Sequence, residues 1–215
     1  MQNISLLPIC AALLLALALV SFGSAWVNAL YAGSKGILSF PEEAGRRARH
    51  RRLWLSLSGA ACGFYLAGFL QGEALFWGIL ALFFLLLITC TDFEQYVIFD
   101  AMLLPFALAG LAAALLLGMP VFHHLLSGIL GGLAFLLLAI LTRGGIGGGD
   151  VKLIAVLGLW FGPERLPGIV VLGLLLGGLA ALFLLLSKKK KRREAFAYGP
   201  YFCLAAIFFL LTEGI

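Results

Sequence analysis

Apolar runs close to the length of a membrane-crossing helix recur along this whole chain, and they limit its possible folds more than any other feature. A helix needs about 20 apolar residues to cross a bilayer, and it satisfies its own backbone hydrogen bonds there. With 63% of its 215 residues hydrophobic and 12% charged, the chain carries more apolar surface than one soluble core would bury. The sequence therefore predicts an all-α, polytopic membrane bundle formed by a single domain, residues 1–215.

Polar or turn-forming residues divide the apolar runs into about eight expected transmembrane helices. The sixth is short for a full crossing, because it reaches only from Asp150 to Phe161 before Gly162 and Pro163. No Lys or Arg precedes the first run, so we expect an uncleaved anchor there and not a signal peptide. The expected spans lie near residues 6–30, 53–70, 74–90, 101–117, 125–141, 150–161, 168–186 and 195–211.

The basic residues predict how the bundle is oriented. They form two clusters, one in the loop 31–52 and one at residues 188–193. With eight crossings, every Lys and Arg except Arg165 falls on one side of the membrane. Lys and Arg are concentrated in cytoplasmic loops, so we expect that side to be the cytoplasm and both termini to lie outside. Topology thus accounts for the net charge of +5 without nucleic acid as a partner.

The cysteine and histidine patterns do not predict a metal site or a cofactor. The four cysteines lie apart in different apolar segments, which is typical of small packing residues. His123 and His124 are adjacent, so their side chains point in different directions on any regular element. We interpret these histidines as interfacial residues, and we expect neither a metal nor a cofactor.

A glycine-rich segment, residues 144–149, separates the fifth and sixth spans and leads into Asp150. Glycine disfavours a helix and a carboxylate is costly in hydrocarbon, so this segment is not selected for spanning. One interpretation is a flexible loop that ends in an N-capping aspartate. In another, Gly147 and Gly149 let a substrate backbone come close to Asp150. Lys152, two residues after Asp150, is expected to reach the interface or a lipid phosphate.

A second acidic segment, residues 91–100, follows the third span, and the topology places it on the same side as Asp150. Two carboxylates that meet can share a proton, so that one acts as general base toward water while the other protonates the leaving nitrogen. We predict that Asp92 and Asp150 form such a catalytic pair. Asp100 precedes a helix, where an N-cap role is the simpler interpretation. Glu94 is either a solvated loop charge or an acid that tunes its neighbour.

Other functions remain open from the residues alone. Intramembrane carboxylates also serve as proton relays, so a proton-coupled transporter is one alternative. An inactive scaffold for assembly is another. The glycine run lacks the Lys-Ser/Thr ending of a phosphate-binding loop, and the sequence holds no HExxH or CxxC motif.

Four ordered segments together carry a family resemblance. They are Phe-Gly-Ser with a later Asn at 22–28, Asp-Phe-Glu-Gln to Ile-Phe-Asp at 92–100, the stretch from Gly-Gly-Gly-Asp-Val-Lys-Leu to Leu-Gly-Leu-Trp-Phe-Gly at 147–162, and Tyr-Gly-Pro-Tyr at 198–201. The chain resembles the prepilin peptidases, membrane aspartic proteases of the GxGD type. The resemblance implies that Asp92 and Asp150 cleave the basic leader of type IV prepilins or secretion pseudopilins, on the cytoplasmic side of the bacterial inner membrane.

The chain departs from this family in two places. Members that also N-methylate the new terminus usually carry two CxxC pairs, resembling a zinc site, in the loop after the first span. The loop 31–52 contains no cysteine, so we expect no zinc and no N-methyltransferase activity. Phe99 stands where the family usually has a proline before the later aspartate.

Overall fold

A computed structural model describes residues 6–143, 145–187 and 196–215, and the prediction of an all-α fold is confirmed over these residues. The basic cluster at residues 188–193 and Gly144 of the glycine run lie outside the described residues. Short 3-10 turns, Lys35–Ile37 and Ala48–His50, lie on either side of α2. The helices are α1 (Leu6–Gly33), α2 (Ala44–Arg47), α3 (Arg51–Phe69), α4 (Gly72–Gln95), α5 (Asp100–Leu116), α6 (Val121–Leu141), α7 (Gly148–Leu186) and α8 (Gly199–Glu213).

Helices of membrane-spanning character dominate the described chain. By length and composition, α4, α6 and α7 can each cross a membrane, and α5 and α8 are shorter apolar helices. Large apolar side chains such as Leu130, Leu137 and Leu179 are exposed on α6 and α7, as suits contact with lipid. The chain is therefore a helical, multi-pass membrane protein, and the count of eight crossings stays a prediction.

The helix α4 lies at the centre of the bundle, where it contacts α1, α3, α5 and α8. Its apolar residues point in all directions, so it can be buried by neighbours on all sides. It runs to Gln95, five residues beyond the expected end at residue 90, and so it takes Asp92 and Glu94 into its last turns. The helix ends because Tyr96 adopts a left-handed backbone, with φ 53°.

A sharp bend at Gly162 divides α7 into two arms, residues 148–161 and 163–186. Gly162 has φ 63° and ψ −173°, a conformation that is essentially restricted to glycine. Pro163 follows directly and has no backbone N–H to continue the helical bonding. The bend therefore falls where the sequence separates the sixth and seventh expected spans.

Contacts with α8 show that the two arms run in opposite directions. Arg165, just after the bend, pairs with Glu213 at the end of α8, with 3.1 Å between Nε and Oε2. Further along the second arm, Gly177 packs against the ring of Tyr198, just before α8 begins. Asp150, in the first arm, also lies beside the start of α8. Both arms thus connect the same two ends of the bundle.

One end of the bundle collects most of the polar side chains, and we call it the aspartate end. It contains the ends of α1 and α4 and the starts of α3, α5, α7 and α8, which are joined by the polar contacts described below. The pair of Arg165 and Glu213 lies at the opposite end. Within the described residues, this arrangement agrees with the basic loop lying on the same side as both acidic segments.

Candidate active site

The start of α8 brings Asp92 and Asp150 together. A Cβ atom placed on Gly199 would lie 2.5 Å from Oδ2 of Asp92 and 3.3 Å from Oδ1 of Asp150. These two oxygens are therefore no farther apart than the sum of those distances. The backbone of Gly199 also lies within hydrogen-bonding range of both carboxylates. Because the first N–H groups of a helix have no partner within it, this helix start suits negatively charged groups.

Asp92 faces this meeting point from the last turns of α4. It is 5% exposed, and its backbone carbonyl accepts the Tyr96 N–H that closes the helix. The side chain of Ile98, in the link between α4 and α5, covers the same place, since its Cδ1 lies 2.8 Å from the Cβ position of Gly199. Asp92 is thus held in a largely dry position beside a second acid.

Asp150 is the third residue of α7, so the interpretation of this residue as an N-cap is wrong. The N-cap is Gly147, whose carbonyl accepts the Asp150 N–H at 3.1 Å. The Asp150 carboxylate reaches back to the backbone of Gly147, which is half of a capping box. The first turn of α7 therefore orients the Asp150 side chain, because its carboxylate lies against its own helix start.

The glycines before Asp150 have different surroundings. A Cβ on Gly147 would lie 3.1 Å from Oδ2 of Asp150, and one on Gly149 would lie 3.1 Å from Cβ of Ile98. Nothing lies within 4 Å of the Cβ position of Gly148. Gly147 and Gly149 thus admit protein groups of the site itself, and open space adjoins Gly148.

Glu94 is not the solvated loop charge that one interpretation of the sequence expected. It is buried in α4 and binds Arg51 at the start of α3, with 2.5 Å between Nη2 and Oε2. Arg51 Nε donates a further hydrogen bond at 2.9 Å, and the Tyr31 hydroxyl donates one at 3.0 Å. Arg51 Nη1 also donates to Oδ1 of Asn28, at 2.7 Å. Glu94 is therefore not a solvated loop charge, and its carboxylate is bound by α1 and α3.

The sequence carried one signal for this network. Asn28 lies near the end of the first span, where a polar side chain needs a partner. Arg51 is that partner, and its place in the basic loop 31–52 did not indicate this contact.

Asp100 and Lys152 form a separate ion pair near the surface of the aspartate end. Lys152 Nζ donates to both carboxylate oxygens of Asp100, each at 2.7 Å. Asp100 is the first residue of α5, and the N-cap is Phe99, without a side-chain capping bond, so the N-cap prediction for Asp100 is wrong. Lys152 binds the acid of another helix, a partner that its sequence position did not indicate.

Within residues 6–143, 145–187 and 196–215, no group of three or more His, Cys, Asp or Glu side chains is placed to hold a metal ion. The four cysteines lie on α1, α3, α4 and α8, and all are free thiols. His124 is buried, and its Nδ1 lies 2.9 Å from the carbonyl oxygen of Leu159.

The fold and the site define a class: a multi-pass helical membrane protein with two acids that meet at one end of its bundle. Residues 79–182 match the type IV leader peptidase family, and this match supports a relationship to the prepilin peptidases. That segment contains Asp92 and Asp150. It does not contain α1, α3 or α8, which supply Arg51 and Gly199.

Curated relatives are similar over more than half of the chain. The prepilin leader peptidase/N-methyltransferase of Pectobacterium carotovorum is 29% identical over 154 residues, which cover 67% of this chain and 54% of that protein. The protein of the same name from Bacillus subtilis is 31% identical, covering 65% and 58%. That from Neisseria gonorrhoeae is 36% identical, covering 57% and 44%. The chain spans about half the length of the curated relatives that it matches. No solved structure is significantly similar to it.

Proposed function

We propose that this protein is a membrane-embedded aspartic endopeptidase that removes the basic leader peptide of type IV prepilins or related pseudopilins. The observation that carries this proposal is the meeting of Asp92 and Asp150 at Gly199. Acids from two helices are brought to one point, and a glycine is present where any other residue would push them apart. The family and the names of its relatives supply the substrate class.

The chemistry follows from the unequal protonation of two neighbouring carboxylates. Two like charges so close disfavour simultaneous ionisation, so one group retains a proton. The ionised carboxylate removes a proton from water as the water oxygen attacks the scissile carbonyl carbon. The protonated carboxyl group polarises the carbonyl oxygen and then gives its proton to the leaving nitrogen. After the C–N bond breaks, one proton is again shared between Asp92 and Asp150.

The surroundings of the two acids suit this reaction. Asp92 is nearly inaccessible, so few waters compete for its carboxylate. The start of α8 provides a positive dipole end that stabilises the negative charge of the pair. Open space next to Gly148 is a place where the substrate backbone would approach Asp150.

We place the site at the cytoplasmic face of the bacterial inner membrane. The support for this orientation is the basic loop 31–52, which lies at the aspartate end of the bundle. The hydrophobic helix of the substrate would remain in the membrane beside the bundle. N-methylation is not part of the proposal, because the loop 31–52 contains no cysteine.

Cleavage of a prepilin by the purified protein in detergent tests this function. Asp92→Asn and Asp150→Asn should each lower the cleavage rate by about 100- to 10,000-fold, the usual contribution of a general acid or base. Glu73→Gln is the matched control, since Glu73 is an exposed carboxylate at the far end of the helix that holds Asp92. Full activity of either aspartate variant would contradict the proposal.

Two further assays separate the alternatives. A proton-coupled transporter would show flux that depends on a pH gradient in liposomes, with no cleavage. An inactive scaffold would support pilus or secretion assembly in cells as the Asp150→Asn form. Loss of both cleavage and complementation in that form supports the peptidase.

A further inference from the structure

A buried ion pair joins the last turn of α4 to α1 and α3, two of the helices that lie outside the family-matched segment. Glu94 of α4 binds Arg51 of α3 and the hydroxyl of Tyr31 of α1. Arg51 is 3% exposed, and its remaining donors reach Asn28 and the carbonyl oxygen of Ser24 on α1. The carboxylate and the guanidinium group are thus bonded from several directions at once.

The loop 31–52 adds further hydrogen bonds to the same turn. The amide of Gln95 pairs with the backbone of Phe40 in both directions, at 2.9 and 3.1 Å. Arg47 Nη1 donates to the carbonyl oxygen of Glu94 at 3.2 Å, and the Ser39 N–H donates to that of Gln95 at 3.3 Å. The last turn of α4 is therefore held on one side by side chains and backbone of residues 31–51.

The helical repeat connects these bonds to Asp92. Successive residues of an α-helix are about 100° apart around its axis, so Asp92 and Glu94 point about 200° apart, to nearly opposite faces. Glu94 faces α1 and α3, and Asp92 faces α7 and α8. A rotation of α4 that releases Glu94 would also turn Asp92 away from Asp150.

We propose that Arg51 and Glu94, with Tyr31, are positioning residues that set the rotation of α4 and so direct Asp92 toward Asp150. This inference rests on the proposed function for its catalytic meaning, and the geometric part stands without it. Apolar packing alone does not set this rotation, because α4 is apolar on all sides. Directional hydrogen bonds from Arg51 and Tyr31 select one orientation.

Energetics separate a positioning role from a merely stabilising one. Replacing a buried ion pair by apolar residues of similar size is often neutral or stabilising, whereas removal of one partner leaves an unpaired buried charge. Glu94→Gln is therefore expected to lower both stability and cleavage. The double variant Arg51→Met with Glu94→Met should recover stability and should not recover the orientation of Asp92.

A cross-linking measurement reports the orientation directly. Asp92→Cys and Asp150→Cys are combined in full-length protein whose four native cysteines are changed to alanine. A short bifunctional methanethiosulfonate reagent then joins the two new thiols, and the rate of joining is measured in detergent by mass spectrometry. Thermal unfolding of each variant is followed in parallel.

Compared with the protein that carries only the two new cysteines, the double methionine variant should unfold at nearly the same temperature and should cross-link at least several-fold more slowly. Without the reporter cysteines, its cleavage rate should fall by about 100-fold, the loss that follows from about 1 Å of misplacement. Tyr31→Phe removes only one hydrogen bond and is expected to fold, and it should lower the cross-linking rate to a smaller extent. The inference would be overturned if both variants cross-linked as fast as the protein that carries only the two new cysteines. If the double variant does not fold, that rate in Tyr31→Phe alone would overturn it.

The pair of Arg165 and Glu213 supplies the matched control. It is also an Arg–Glu pair between two helices, and it lies at the opposite end of the bundle. Glu213→Gln should leave the cross-linking rate unchanged. The proposed function fails separately: if Asp92→Asn retained full cleavage while the double methionine variant cross-linked slowly, the positioning role would stand and the peptidase assignment would not.

Discussion

Gly199→Ala tests most directly how closely the two acids are held. The added methyl group would lie 2.5 Å from Oδ2 of Asp92, about 1 Å short of an ordinary contact of about 3.5 Å. It would also lie 2.8 Å from Cδ1 of Ile98, so movement in that direction is obstructed as well. The Asp92 carboxylate must therefore move by about 1 Å, a displacement that costs about 100-fold in rate. This loss corresponds to about 2.7 kcal/mol in the activation free energy.

The effect on stability should be smaller than the effect on rate. Overpacking costs about 1–3 kcal/mol, and removal of a glycine from a helix returns about 0.5–1 kcal/mol of that. The rate of prepilin cleavage is therefore measured per folded molecule, with thermal unfolding followed in the same detergent.

Gly178→Ala is the control for this prediction. Nothing lies within 4 Å of its Cβ position, and the residue is exposed on the second arm of α7. This variant should keep full activity and gain slightly in stability. Unchanged cleavage by Gly199→Ala would refute the argument that this glycine holds the two carboxylates together.

Two further predictions concern other parts of the bundle. Gly162→Ala should lower the free energy of unfolding by about 1–3 kcal/mol, because only glycine adopts this backbone conformation without strain and the methyl group would lie 3.1 Å from Nε2 of His124. Thermal or denaturant unfolding in detergent measures this change, and a stability equal to that of the parent protein would contradict the bend. Lys152→Gln should change stability by less than about 1 kcal/mol, because Lys152 and Asp100 are both exposed and such pairs contribute little; a large loss of stability in the same measurement would show that this pair is structurally essential.

The general architecture was accessible from the sequence because it depends on local pattern. Apolar runs predict helices, and Gly162 with Pro163 predicts that the short sixth run ends there. The order of the runs then assigns each helix end to one side. That reasoning brought Asp92 and Asp150 to the same end of the bundle before any distance was known.

The capping roles were wrong because single residues near a helix start compete for the same bonds. An N-cap role was one interpretation of Asp150 and the simpler one for Asp100, and each lies inside its helix instead. At the start of α7 the backbone of Gly147 takes the cap position, and the Asp150 carboxylate turns back toward it. At the start of α5 the acid binds Lys152 of α7, a partner distant in the sequence.

Gly199 shows a different limit of sequence reasoning. Tyr-Gly-Pro-Tyr at 198–201 was recognised as a family segment, but its sequence offers no reason for the glycine. The reason is that two carboxylates approach this glycine in the folded chain. Asp92 of α4 lies more than a hundred residues before Gly199, and Asp150 of α7 lies about fifty residues before it. Only the assembled bundle brings these groups to one point.

The sequence by itself determined the class of fold, the division into apolar helices and the end of the bundle at which each polar segment lies. These properties follow from the length and polarity of successive segments, since each apolar run carries the chain from one end to the other. The tertiary structure decided the rotation of each helix about its axis and the partners of each polar side chain. A helix that is apolar on all sides, such as α4, contains no periodic pattern to define that rotation. Contacts between distant segments define it, and they place Glu94 on Arg51 and Asp92 beside Asp150.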